Sequence, residues 1–126
     1  MGVSTIPDLK ISEMLEMQRE LFEPHKYKWH PMEPEYGRNF VLYMVEEIGE
    51  CIAIIKKKGD RAIAENSAVR EAFCEEMCDV LMYFSDALLR YGITADELSK
   101  AYLRKHERNM GRDFDEEYRR KFEEEK

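Results

Sequence analysis

Apolar residues recur every three or four positions along most of the chain and almost nowhere alternate in twos. Over residues 12–22, Met14, Leu15, Gln18, Leu21 and Phe22 fall at helical spacing, and Pro24 stops the run. Residues 39–58 repeat the pattern with Val41, Met44, Val45, Ile48, Ile52 and Ile55 on one arc and Gly59 as the C-terminal stop. A third run, 67–91, places Phe73, Met77, Val80, Leu81, Phe84 and Leu88 inward and ends at Gly92. Thr94 and Glu97 form a capping box for a fourth helix, which continues through Leu98, Tyr102 and Leu103 toward Met110. The tail, 115–126, is highly charged, yet Phe114, Tyr118 and Phe122 stand four apart and predict a short helix that packs on a neighbour. With no sustained period of two, the expected fold class is all-α, a four-helix-bundle-like domain spanning 1–126 with its core over about 10–114.

Between the first two helices lies a segment rich in Pro, His and aromatic residues, 23–37, which holds the only tryptophan, Trp29. Connections of that length in a compact domain tend to carry function.

Composition narrows the class. At 44% hydrophobic and 37% charged residues, the chain is too apolar for disorder and too interrupted by charge to span a membrane. The 27 acidic residues against 20 basic ones leave a net charge of −7, which argues against a nucleic-acid partner, because phosphate-backbone affinity needs basic side chains. Residues 1–10 lack a secretory apolar run, and Ile6 stands where a myristoylation signal needs Ser or Thr. Cys51, Cys74 and Cys78 are odd in number and sit in apolar helical patterns, so they are expected to be buried, reduced thiols of a cytoplasmic protein.

A short internal repeat carries the candidate chemistry. Residues 45–55 read VEEIGECIAII and residues 74–84 read CEEMCDVLMYF, the same order of apolar and acidic positions 29 residues apart. Glu47 and Glu50 are three apart in the first copy, as are Glu76 and Asp79 in the second. On a helix such pairs lie roughly 60° apart with Cβ atoms about 5–6 Å from each other, so each pair can reach one cation. Taking Glu47 and Glu76 as origins, the apolar arcs centre about 80–100° away, so these glutamates border the core. Partly desolvated like charges need a compensating cation, and an all-carboxylate set suits Mg2+, with Mn2+ possible, while offering Zn2+ or Cu2+ nothing soft. No His stands three residues from a motif Glu, so the E-x-x-H pairs of a di-iron bundle are absent from the sequence.

This order of E-x-x-E, 25 residues, then E-x-x-D resembles the all-α nucleoside triphosphate pyrophosphohydrolases, the MazG-like superfamily that includes dimeric dUTPases, dCTP pyrophosphatases and phosphoribosyl-ATP pyrophosphohydrolases. The resemblance extends to Arg38 and Asn39 before the second helix, and to Lys105, Asn109 and Arg112 in a K-x-x-x-N-x-x-R pattern near the end of the fourth. It implies a MazG fold and hydrolysis of a nucleoside triphosphate to monophosphate and pyrophosphate. It also implies Mg2+ held by Glu47, Glu50, Glu76 and Asp79, and Glu46 or Glu47 orienting or deprotonating water. Lys105 and Arg112 would hold outer phosphates, with Asn109 as a neutral donor and Arg38 and Asn39 as further substrate contacts. The family's members are typically homodimers or homotetramers, and an assembly of that kind is expected here. Many dCTP-directed members carry a Trp shortly after the first acidic motif, where this chain has Lys56, Lys57 and Lys58, so Trp29 is the remaining candidate for stacking on a base. Two other readings stay open: a phosphoribosyl-ATP pyrophosphohydrolase, and a non-catalytic helical oligomerisation or regulatory module whose acids bind cations structurally.

Overall fold

Heptad-like seams decide which face of each helix is packed. The computed structural model describes residues 6–112 and 114–124, and among these it contains six α-helices and no strand. The helices are α1 (Ile11–Phe22), α2 (Gly37–Lys58), α3 (Asp60–Glu65), α4 (Ser67–Arg90), α5 (Ala95–Met110) and α6 (Phe114–Glu124), and short 3₁₀ turns occupy Glu23–His25 and Pro34–Tyr36. The chain divides into two compact units, Met1–Ala95 and Asp96–Lys126. None of the described helices is long and apolar enough to cross a membrane.

In the first unit α4 is central, packing along α2 and also against α1 and α3. The face α2 turns inward is Phe40, Met44, Glu47, Cys51 and Ile54, all buried or half-buried at alternating steps of four and three. On α4 the equivalent row is Val69, Phe73, Glu76, Val80, Tyr83, Ala87 and Arg90, and on α1 it is Ile11, Leu15, Gln18 and Phe22. Steps averaging 3.5 residues keep one stripe facing a neighbouring helix. Cys51 Sγ donates to Met77 Sδ at 3.6 Å and ties α2 to α4 one turn beyond Glu47.

The helix ends follow local chemistry. Asn66 caps α4, its Oδ1 accepting from the Ala68 and Val69 amides at 3.1 Å each. At the other end Gly92, with φ 70°, donates to Leu89 O and Ile93 donates to Leu88 O, the paired bonds of a Schellman stop. Gly59 turns the chain out of α2 with φ 85°. Gly37, buried at the start of α2, leaves room for the Tyr91 ring, which lies where a Cβ would stand.

Several expectations are corrected. The arc of α2 expected to face the core, Val41, Val45, Ile48, Ile52 and Ile55, is exposed, as are Met77 and Leu81 of α4, because the two helices pack through the row that contains Glu47 and the row that contains Glu76. The helix expected from residue 39 begins at Gly37, so Arg38 and Asn39 lie inside its first turn. A short helix, α3, fills residues 60–65, which carry too few periodic positions to read as one. Of the cysteines expected to be buried, only Cys51 is; Cys74 and Cys78 are exposed, because they lie outside the packed row of α4. The Phe114 side chain lies outside the described residues, whereas Tyr118 and Phe122 of the tail stripe contact each other with centroids 4.5 Å apart and remain exposed.

Candidate metal centre and adjoining aromatic cavity

Glu47 and Glu76 interrupt the apolar rows of α2 and α4 at the level where the two helices pack, so each carboxylate is aimed at the other helix. Asp79, one turn along from Glu76, joins them. One ligand atom from each of Glu47, Glu76 and Asp79 lies within 4.8 Å of the others, close enough for one cation to be shared by all three. Burial, a hydrogen bond with Glu76, and repulsion from Asp79, Glu76 and Glu50 push the Glu47 carboxyl above its ordinary range. Three hard oxygen donors converging with one of them reluctant to ionise fit a divalent cation, whose charge relieves that repulsion. Glu50 is exposed and outside the converging set, as is Glu46, which lies off the packed row.

Asp79 also lines a cavity of about 500 Å³ whose walls include the rings of Trp29, His30, Phe40, Tyr43 and Tyr83 alongside the polar Gln18, Lys28 and Asp86. Phe40, Tyr43 and Tyr83 form a connected cluster with centroid separations of 5.3 to 6.1 Å. Burial, together with the nearby charges of Glu47 and Asp79, pushes the Tyr83 phenol up, so near neutrality it keeps its proton and offers a donor beside the carboxylates. On the opposite wall His30 stacks on Tyr36 at 5.1 Å and Trp29 stacks on His25 at 4.3 Å, which holds both rings of the 26–33 segment in place. The cavity is therefore a slot with flat aromatic surfaces, lined also by the acids Asp79 and Asp86 and by the cationic Lys28.

Gln18 and Asp86, which also line the cavity, belong to a buried polar group that helical periodicity does not single out. Asp86 is fully buried and Arg90 nearly so. Arg90 Nε donates to Asp86 Oδ1 at 2.5 Å, and Gln18 Nε2 donates to Asp86 Oδ2 at 3.1 Å. The signal was present as D-x-x-x-R inside an otherwise apolar run, a spacing that pairs charges on one helix face. The contribution of Phe40, Tyr43 and Tyr83 to a cavity had no sequence signature, since aromatic residues at helical spacing read as core.

The remaining candidates are placed as follows. Arg38 is exposed and Asn39 half-buried in the first turn of α2. Lys56, Lys57 and Lys58 form the exposed last turn of the same helix. Lys105 and Asn109 belong to α5 and Arg112 follows it, all in the second unit. There Arg112 is already engaged: its guanidinium holds Glu117 at 2.5 Å and the Asn109 side-chain oxygen at 3.3 Å. The hydrogen bond from Arg112 lowers the Glu117 carboxyl below its usual range, so a phosphate on Arg112 would compete with an ionised partner.

No protein-family model, curated protein or solved structure matches the chain.

Proposed function

We propose that the protein is a nucleoside triphosphate pyrophosphohydrolase of the MazG-like kind, cleaving a triphosphate between its α and β phosphates to give a monophosphate and pyrophosphate. One observation carries this reading: a three-carboxylate centre that shares Asp79 with an aromatic slot of about 500 Å³. A hard cation beside a flat aromatic slot suits a ligand with an anionic polyphosphate at one end and a planar base at the other.

Mg2+ is the proposed cofactor, held by Glu47, Glu76 and Asp79 with Glu50 nearby; when bound it would offset phosphoryl charge and make a coordinated water more acidic. The chain's own part is positional. Glu47 from α2 and Glu76 and Asp79 from α4 would hold the cation between the two helices, and Glu46, one residue round α2, is the candidate for orienting water. The protonated Tyr83 phenol is a donor available to a ligand in the cavity, and Trp29 and His30 supply stacking surface.

A second copy of the chain is the proposed partner. On α2 the row next to the packed one, Val41, Val45, Ile48, Ile52 and Ile55, is exposed at 38 to 56% in the single chain. It carries the same alternating steps of four and three, a seam complementary to its own copy.

The test is a panel of nucleoside triphosphates, with phosphoribosyl-ATP included, incubated with Mg2+ while pyrophosphate release is followed. At least one nucleotide turns over, and Glu76→Gln reduces that rate by about 10²-fold or more, as expected when a centre that stabilises transition-state charge is weakened. If no compound turns over above the Glu76→Gln background, the reading fails.

A further inference from the structure

The 26–33 segment carries Trp29 and His30 into the cavity wall, yet its own backbone bonds are few: Lys28 and Trp29 donate to His25 O at 2.9 Å each, and Glu33 donates to Pro31 O at 2.8 Å. Ring contacts of Trp29 with Phe22 and of His30 with Phe40, each at 6.5 Å between centroids, touch the helices, but the hydrogen bonds that join the segment backbone to α4 come from Arg90. From the last turn of α4, Arg90 Nη1 donates to the His30 carbonyl at 2.7 Å and also to the Pro31 carbonyl. The same guanidinium lies over the Phe40 ring at 3.9 Å and faces the Phe22 ring at 5.5 Å. Its carboxylate partner, Asp86, is in turn held by Gln18 of α1, so the clamp spans α1, α4 and the segment. Arg90 Nη2 is buried with no partner. A fully desolvated ion pair that leaves one donor unused is poor value as a stabilising device, since apolar residues of similar volume commonly do as well. Its geometry serves the segment instead: a planar fork can grip a carboxylate on one side and two carbonyls on the other, which neither Lys nor an apolar residue can do.

We infer that Arg90 is a positioning residue, which fixes the 26–33 segment so that Trp29 and His30 stand as a preformed wall of the cavity beside Asp79. Without the fork, the His30 and Pro31 carbonyls turn to water and the two rings lose their register with Tyr83 and Phe40. A ligand would then have to order the wall on binding, so the loss falls on affinity.

Trp29 is the chain's only tryptophan, so its emission reads the segment directly in the full-length protein. Arg90→Met keeps aliphatic bulk and removes every donor; Arg90→Lys keeps the charge with a point donor. In both variants far-UV helicity is retained, Trp29 emission moves to the red and acrylamide quenching rises, more for Met than for Lys. A folded variant with wild-type emission and quenching overturns the inference and leaves Arg90 as a core residue only. Should both variants fail to fold, hydrogen exchange of the wild-type protein decides: the Trp29 amide is protected to the level of α4 amides near Arg90, and exchange as fast as a chain terminus overturns it. In turnover assays Arg90→Lys loses on the order of 10²-fold in kcat/KM, mainly through KM. That last arm rests on the pyrophosphohydrolase reading. Absence of wild-type turnover together with a red-shifted Arg90→Met sinks that reading while supporting the clamp.

Discussion

Glu47 stands at a packed position of α2 where an aliphatic side chain would cost nothing. Its carboxyl is held above the ordinary value of 4.5 by burial, by the bond to Glu76 and by the surrounding acids. An acid whose folded pKa is raised contributes stability below its unfolded pKa and loses it as pH rises through the folded one. At neutral pH without a cation, Glu47 is therefore a strained group. Glu47→Gln is expected to raise the midpoint of thermal unfolding at pH 7 in EDTA, and the gain over wild type should shrink toward zero as pH falls through the carboxylate range. Mg2+ should reverse the order. Saturation to 100 times Kd stabilises the wild type by about 2.7 kcal/mol and the Gln variant by less. A Gln variant that unfolds at or below the wild-type temperature in EDTA contradicts the strained-carboxylate account. The acidic repeat made Glu47, Glu76 and Asp79 legible from sequence, because spacing on a helix is a local property. Exclusion of Glu50 from the converging set was not legible, since only the rotation of α2 against α4 decides which of two acids three apart meets the other helix.

At the scale of the elements, each packed row of the first unit carries a polar interruption: Gln18 on α1, Glu47 on α2, and Glu76, Tyr83 and Arg90 on α4. These fall into two groups, a carboxylate centre and the Gln18–Asp86–Arg90 clamp, with the aromatic cavity touching both. Burying so many polar groups needs rigid helices, and α4, which contributes to every one of these groups, is fastened at each end by a cap. Asn66→Ala removes the acceptor for two first-turn amides and is expected to cost about 1 kcal/mol, measured as a lower urea midpoint at unchanged m. A midpoint equal to wild type would mean that tertiary packing alone sets the start of α4. The stops at Gly59 and Gly92 were readable because a left-handed residue after a helix is a demand that glycine meets without strain. The start of α2 was misplaced by two residues because Gly37 looks like a loop residue until Tyr91 is seen lying against it.

For the whole molecule, the exposed row of α2 is the feature a single chain leaves unexplained. Leu42, Val45, Ile48 and Ile52 are 42 to 61% exposed, and a second copy burying them is the proposed remedy. Light scattering at micromolar concentration should give at least a dimer. Replacing Val45 and Ile52 together by Asp should shift it to monomer with helicity retained; a wild-type monomer under those conditions removes the proposed assembly.

By itself the sequence determined the all-α class, the main helices, their stops and the paired acids, all of which follow from period, punctuation and spacing within a few residues. Tertiary structure alone decided which apolar row of α2 is packed. The row from Val41 is all Val and Ile, whereas the packed row from Phe40 carries Glu47 and Cys51, so local apolarity points to the wrong face and only the docking of α4 put the row of Glu47 inside. It also decided that Asp79 faces both the carboxylate centre and the aromatic cavity, and that Arg90 reaches His30 and Pro31 some 60 residues away. Such pairings depend on where distant helices come to rest, and helix periodicity carries no information about that.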